Sequence, residues 1–330
     1  MGYQGGIFIN LEIVRDFYEE QLYKTPPAYD WVRTRTLSQV GVMDFNLGYA
    51  PNNNALTNWA KQRGLDVLDF LYDQDLVRQG SDASYYDTFR DRIVFPITSP
   101  SGKVVGFSSR SYLPTDTGAK YINSRTNDTF SKGRLLYNLS QASPHVVEKG
   151  FVYLVEGFFD VIALHEHELF NVVASMGTAF TTYQAQLLKK YTNRVCIMFD
   201  GDKAGLTSMD QTAQLLIRQG FDVKVITLPE GHDPDTAIKE FGLSIIKQKH
   251  TYYQYIFYKT YANFRKTNPY PTNEDVLDFF SFLKGAPRKD YYPIMLHVCA
   301  DLGVDRAALH IDLKQKYGVA TFDLQNGGQL

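Results

Sequence analysis

Three short apolar runs in this chain each end in carboxylates and then give way to sequence of helical character. They are residues 151–155 before Glu156 and Asp160, 195–199 before Asp200 and Asp202, and 223–228 before Asp233 and Asp235. A fourth run, 171–175, falls between the first two in the sequence. Strand alternating with helix from 151 to about 241 predicts a parallel sheet flanked by helices. Acids that follow successive parallel strands gather at one sheet edge, where open α/β sheets bind their ligands. Two like charges about 4 Å apart repel by ~4 kcal/mol at an effective dielectric near 20. Six carboxylates at one edge therefore predict protons or divalent cations to offset them. Hard oxygen donors of this kind suit Mg²⁺ or Mn²⁺, ions that retain waters for substrate phosphates to replace.

The placement of the acids follows from local geometry. Asp160 stands four residues after Glu156, so one helical turn brings both carboxylates to one side. Gly201 between Asp200 and Asp202 predicts a sharp backbone turn with both acids at the mouth of the sheet. Asp235 is also placed to cap a helix beginning at Thr236. A single strand-end Asp is most often a turn former or a cap, and it is the recurrence after three strands that points to metal and phosphate chemistry. Two ions held there could activate an attacking hydroxyl and stabilise a leaving oxygen.

The formal net charge of −2 excludes a uniformly basic nucleic-acid coat, but it conceals a segregated patch. Between Arg90 and Arg134 eight Lys or Arg (Arg90, Arg92, Lys103, Arg110, Lys120, Arg125, Lys132 and Arg134) face three Asp, a local charge of +5. The aromatic content of 14%, mostly 23 Tyr and 22 Phe, fits either core packing or base stacking. Tyr121 and Phe130 lie within the basic stretch and are candidates for stacking, with local core as the alternative. Cys196 and Cys299 form no CxxC pair, so neither a zinc module nor a disulfide scaffold is expected, and Cys196 reads as a buried strand thiol. No apolar run approaches the ~20 residues of a membrane span, and the start of the chain does not read as a secretion signal. The expected location is the cytoplasm.

Before the acid-tipped region, helices are expected over 11–23, ended by Pro26 and Pro27, over 28–37 and over 56–63. A β-hairpin is expected from 93–97 and 104–107 around Ser99, Pro100, Ser101 and Gly102. The segment 120–134 reads as a basic loop held over a ligand. Helices are expected over 244–264, 273–283 and 291–316, and 325–330 as disordered. The tract His165, Glu166, His167, Glu168 reads as a solvated helix surface, since alternate residues on a helix do not share a face. GKV at 102–104 lacks the rest of a phosphate-binding Walker loop, which excludes a fused helicase.

The acidic motifs VEGFFD (155–160), ASMGT (174–178), FDGDKAG (199–205) and LPEGHDPDT (228–236) resemble, in order and spacing, those of the Toprim domain. DFNLGYAP (44–51), RDRIVFPI (90–97), GKVVGFSSR (102–110), AKYINS (119–124) and FSKGRLLYNL (130–139) resemble the polymerase half of the bacterial-type (DnaG-like) DNA primase catalytic core. Together the likeness covers roughly residues 10–240. The α/β fold this implies has an α+β N-terminal basic polymerase subdomain (1–147), a Toprim-like parallel sheet with flanking helices (148–243) and a C-terminal helical subdomain (244–330). It implies synthesis of short RNA primers from NTPs on single-stranded DNA, by metal-dependent nucleotidyl transfer during replication.

On this resemblance Glu156, Asp200 and Asp202 are catalytic, and these three with Asp160, Asp233 and Asp235 hold Mg²⁺ or Mn²⁺. Arg35, Arg110, Lys120, Lys132 and Arg134 bind nucleotide or template. No zinc is expected. The family commonly has glycines where Ser108 and Ser109 stand and a glycine where Thr36 follows Arg35. Its zinc-binding module is not seen here, which implies a separate zinc-binding protein or less selective initiation. A replicative helicase is a further expected partner, and the short chain suggests a bacteriophage source. The alternatives are a Toprim-family nuclease and a non-catalytic single-strand-binding or helicase-recruiting subunit.

Overall fold

The computed structural model describes residues 9–35, 39–113, 118–125, 130–177 and 179–319. They divide into two compact units. One runs to Asp222 and resumes over Thr227–Lys247, and the other holds Val223–Ile226 and what is described from Gln248 onward.

The first unit opens with helices α1 (Leu11–Tyr23), α2 (Pro26–Arg35) and α3 (Gln39–Asp44). Asn10 caps α1 by accepting from the Ile13 N–H at 3.1 Å, and Leu11, Val14, Phe17, Tyr18 and Leu22 form its buried face. Pro26 begins α2 two residues before the expected start, because proline is well suited to the first helical turn, where its missing N–H costs nothing. The expected end at Leu37 lies outside the described residues.

There follow β1 (Gly48–Ala50), α4 (Ala55–Lys61), α5 (Leu65–Asp73), the short antiparallel pair β2 (Val77–Gln79) and β3 (Tyr85–Asp87), then β4 (Arg92–Thr98), β5 (Val104–Ser111) and β6 (Tyr121–Asn123). Strands β1, β4, β5 and β6 form one antiparallel sheet in that order. The expected hairpin is β4–β5, closed by the Ser99 N–H donating to the Lys103 carbonyl at 2.8 Å with Gly102 at φ +85°. Arg110 lies within β5, opposite Ile93, rather than beyond it.

Segment 120–134 is not simply a loop. Its start pairs with β5 as β6, Arg110 opposite Tyr121 and Ser108 opposite Asn123. Its end is a 3-10 turn, Lys132–Arg134. Phe130 is core, 1% exposed, with its ring packed over Gly106, so it offers no stacking surface.

Helix α6 (Leu139–Lys149) leads to the parallel strands β7 (Val152–Val155), β8 (Val172–Ala174) and β9 (Arg194–Ile197), with α7 (Phe158–Glu166), α8 (Thr182–Leu188) and α9 (Lys203–Arg218) following them in turn. In space β7 is central: Val155 stands opposite Ala174 of β8 and Leu154 opposite Ile197 of β9. All three strands are nearly continuous apolar runs, as strands covered on both faces must be. Cys196 is buried in β9. His165 is half-buried rather than solvated, its ring edge-on to Phe45 at 5.0 Å and Phe170 at 4.7 Å.

The third apolar run begins in β10 (Asp222–Ile226), of which Val223–Ile226 belong to the second unit, and β10 pairs antiparallel with β11 (Lys249–Thr251), Val225 opposite His250. Between them in sequence, α10 (Pro234–Phe241) belongs to the first unit. The segment expected as one helix over 244–264 thus contains a strand, and α11 (Tyr252–Thr267) begins only after Thr251 caps it by accepting from the Gln254 N–H. Helix α12 (Asn273–Phe279) follows. The expected helix over 291–316 is two, α13 (Arg288–Leu302) and α14 (Arg306–Tyr317), because Gly303 takes φ +69° and ends the first. Much of the aromatic richness is spent here on packing. Phe257 stacks on Tyr261 at 4.7 Å and Phe264 on Phe279 at 4.5 Å between ring centroids. Among the described residues no helix is long and apolar enough to cross a membrane.

Candidate active site

At the carboxyl ends of the parallel strands a cavity of about 410 Å³ is lined by Glu156, Asp160, Asp200 and Asp233 together with Arg35, Arg110, Lys120 and Lys132. Acids and cations far apart in the chain therefore share one wall. Glu156 follows β7, Asp200 follows β9, and Asp233 caps α10 by accepting from the Thr236 N–H at 2.8 Å. The helix begins at Pro234, so the cap is Asp233 and not Asp235. Asp160 sits in the first turn of α7 and accepts from the Gly157 N–H at 2.8 Å.

Two of the six predicted acids lie outside the lining. Asp202 is exposed and caps α9, accepting from the Gly205 N–H at 2.7 Å. Asp235 is 1% exposed and ion-paired to Arg35 at 3.0 Å and Lys239 at 2.8 Å. The Lys239 ammonium also donates to the Arg35 carbonyl at 3.2 Å. Asp235 thus anchors a guanidinium of the cavity wall from behind.

The carboxylates resist ionisation. Burial pushes Glu156 up to about 7, helped by the charges of Asp200 and Asp202 and opposed by a hydrogen bond from Ser208. Burial, then Asp233 and Asp202, push Asp200 up to about 6 against the pull of Lys120. Asp160 is held well above the usual carboxylate range, again by burial first and then by Asp233 and Asp200. A cation in this cavity would relieve all three. Among the described residues no three such groups are close enough to hold a metal ion by themselves. The donor set nonetheless fits Mg²⁺ or Mn²⁺, ions that take part of their shell from water and substrate phosphate.

Gly201 has a role the sequence did not disclose. It is not among the residues of positive φ, so handedness is not the reason for glycine. A Cβ there would strike the Pro229 and Leu228 carbonyls, while the Gly201 N–H donates to the His232 carbonyl at 2.8 Å. The glycine lets the Asp200 loop lie directly against the loop carrying Asp233. Gly201→Ala should force the two apart, costing about 2 kcal/mol of stability. Thermal denaturation and a Mn²⁺ titration of the variant would show both a lower Tm and weaker metal binding.

On the cationic side, Arg110 lies 5.2 Å from the Phe159 ring, 5.3 Å from Trp31 and 5.6 Å from Tyr121, and Arg35 lies 5.3 Å from the same Phe159. Aromatic faces hold the Arg110 guanidinium without neutralising it, whereas Arg35 is paired with Asp235 as well. The Arg92 guanidinium is buried and donates to the Ala119 carbonyl at 2.8 Å, fixing the backbone before Lys120. The Lys132 ammonium donates to the Met176 carbonyl at 2.8 Å, and burial lowers its pKa to about 8. Arg134 is exposed over the Tyr183 ring and does not line the cavity. Ser108 and Ser109 are buried, their hydroxyls donating to Asn123 Oδ1 at 2.7 Å and the Ile122 carbonyl at 3.2 Å. Trp31, Phe159 and Met176 were not anticipated and Arg92 was counted only for its charge, since nothing local in the sequence marks a residue as the support of a distant cation.

Residues 17–143 match the family described as the DNA primase catalytic core, N-terminal domain, and residues 153–238 match the Toprim-like family. The DNA primase of Aquifex aeolicus (strain VF5) is 40% identical over 236 residues, 72% of this chain and 47% of that protein. That of Staphylococcus epidermidis is 36% identical over 235 residues, 70% of this chain and 39% of that protein. The solved zinc-binding and RNA polymerase domains of the Aquifex aeolicus primase are 33% identical, with a TM-score of 0.74 over 91% of this chain and 73% of that one. A DnaG primase catalytic domain solved bound to single-stranded DNA is 27% identical, with a TM-score of 0.69 over 92% of this chain and 96% of that one. The chain belongs to the bacterial-type DNA primase family, with the primase catalytic core joined to a Toprim-like domain of the metal-binding kind. It spans less than half the length of the two curated relatives described.

Proposed function

We propose that the chain synthesises short RNA primers from NTPs on a single-stranded DNA template by metal-dependent nucleotidyl transfer. The observation that carries this reading is one cavity lined by four carboxylates and four cationic side chains. Glu156, Asp160, Asp200 and Asp233 are the groups of the cavity that would hold Mg²⁺ or Mn²⁺, with Asp202 at the exposed start of α9. Bound there, the metal would supply Lewis acidity to the attacking hydroxyl and the transferring phosphoryl group. Arg110, Lys120 and Lys132 hold the phosphates of the incoming nucleotide, and Arg35 does so from its Asp235 anchor. These contacts are to phosphate, so they position substrate without reading sequence. Arg134, outside the cavity, is left to the template backbone.

The segments divide the work: 1–147 brings all four cations of the cavity lining, 148–243 brings its four acids, and among the described residues none of the lining comes from beyond 243. The family reading also brings a replicative helicase and a zinc-binding module as partners, each testable by co-purification with the tagged chain. Incubating the protein with Mg²⁺ or Mn²⁺, labelled ribonucleotides and single-stranded DNA tests the main reading. New short RNAs on a denaturing gel are expected. Cleavage of the template would point instead to a nuclease, and retention of unchanged DNA to a binding subunit.

A further inference from the structure

We propose that Gln184 is a positioning residue that sets Lys132 against the phosphates of the incoming nucleotide. The inference rests on the reading of the cavity given above. Gln184 is fully buried in the first turn of α8. Its side-chain oxygen accepts from the Thr181 N–H at 2.9 Å, which is the ordinary reciprocal cap of a helix start. The cap uses only that oxygen. The amide nitrogen reaches 52 positions back along the chain, donating to the Lys132 carbonyl at 3.0 Å and the Leu135 carbonyl at 2.8 Å. These two carbonyls bracket the 3-10 turn Lys132–Arg134, so one buried amide, with both N–H groups satisfied, fixes the backbone from which Lys132 springs.

The far end of Lys132 is fixed by the same connection. Its ammonium donates to the Met176 carbonyl, Met176 takes the left-handed φ of +65°, and the Met176 N–H donates to the Glu156 carbonyl at 3.1 Å. The Thr181 hydroxyl donates to the Gly133 carbonyl, and the Tyr183 ring lies 4.7 Å from the Arg134 guanidinium. The link from β8 to α8 therefore holds Lys132 at base and tip and is tied to the backbone of an acid of the cavity. A helix cap alone would need none of the contacts to 132–135. Misplacing a charged group by about 1 Å can cost up to a hundredfold in rate, so a side chain that sets this backbone acts on substrate through Lys132.

A double-mutant cycle separates this role from simple packing. Gln184→Met, Lys132→Ala and the double variant would be compared with the unsubstituted protein for KM and kcat in RNA synthesis and for equilibrium binding of ATP. Each single change is expected to raise KM about tenfold with kcat within about threefold, and the double variant to be no worse than Lys132→Ala. Additive losses would overturn the inference, as would a lower Tm for Gln184→Met with KM unchanged, or no effect of Lys132→Ala. If Gln184→Met does not fold, Gln184→Glu keeps the cap acceptor but sets a second acceptor against the two carbonyls, and should show the same rise in KM. Gln184→His keeps one ring N–H donor and should recover part of it. Failure of the unsubstituted protein to make RNA would count against the reading of the cavity, while ATP binding by the same proteins still reads the coupling of Gln184 to Lys132.

Discussion

Asn in place of Asp200 is expected to lower RNA synthesis at least about a thousandfold while changing affinity for single-stranded DNA less than about threefold. The substitution keeps shape and removes only charge, so the loop carrying Asp200 stays packed on the loop carrying Asp233. What disappears is an anionic donor for a divalent cation, and a thousandfold loss corresponds to about 4 kcal/mol of transition-state stabilisation, within reach of a disturbed metal site. DNA affinity is spared because Arg35, Arg110, Lys120 and Lys132 are untouched. A second consequence runs in the opposite direction. Asp200 is pushed up to about 6 by burial and by Asp233 and Asp202, so at neutral pH its charge strains the metal-free protein. The variant should therefore melt higher than the unsubstituted protein when metal is chelated, and lose that advantage when Mn²⁺ is added. Gel-resolved synthesis rates, DNA anisotropy and melting with and without chelator measure the three quantities. Full synthesis by a folded Asp200→Asn protein would remove Asp200 from the metal set.

What the sequence disclosed and what it hid divide along a physical line. Strands β7, β8 and β9 were legible because strands buried on both faces must be continuously apolar, and the acids after them stand out against that background. The β4–β5 hairpin was legible from its turn residues. Strand β11 was hidden, because three residues, Lys249–Thr251, carry no period and run straight into the helical pattern of α11. The break at Gly303 was hidden because the helical apolar spacing resumes beyond it. In the site, Glu156, Asp160, Asp200 and Asp233 were legible as charges at strand ends. The behaviour of Asp235 was not, since its burial depends on Arg35, 200 positions away, and Lys239. Gly201 was correctly singled out for the wrong reason: sequence suggests backbone freedom, whereas tertiary structure uses the missing Cβ to bring two loops together. Gln184 carries no signal in the sequence, because only the fold shows its amide reaching the 132–135 turn.

Metal binding should strengthen steeply with pH and reverse an unusual stability profile. Glu156 is pushed up to about 7 and Asp200 to about 6, against ordinary values near 4.5 and 3.8. Groups whose folded pKa is raised contribute stability that is full below their unfolded pKa and is lost as pH rises through the folded one. The metal-free protein should therefore lose stability between about pH 4 and pH 8 from these two residues, where most carboxylates would add it. With the shifts discounted for partial exposure, the expected fall in Tm is roughly 2–5 °C. Each carboxylate that must shed a proton to bind metal makes affinity rise about tenfold per pH unit below its pKa. Between pH 5 and pH 8 the apparent affinity for Mn²⁺ should rise by about a hundredfold or more. The protection that metal gives in a melting experiment should grow over the same window. Glu156→Gln removes one of these titrations, so its affinity should rise less steeply with pH and its metal-free Tm should fall less between pH 5 and pH 8. A Mn²⁺ affinity independent of pH over this range would show that the carboxylates of the cavity are already ionised without the metal, and the electrostatic account of the site would fail with it.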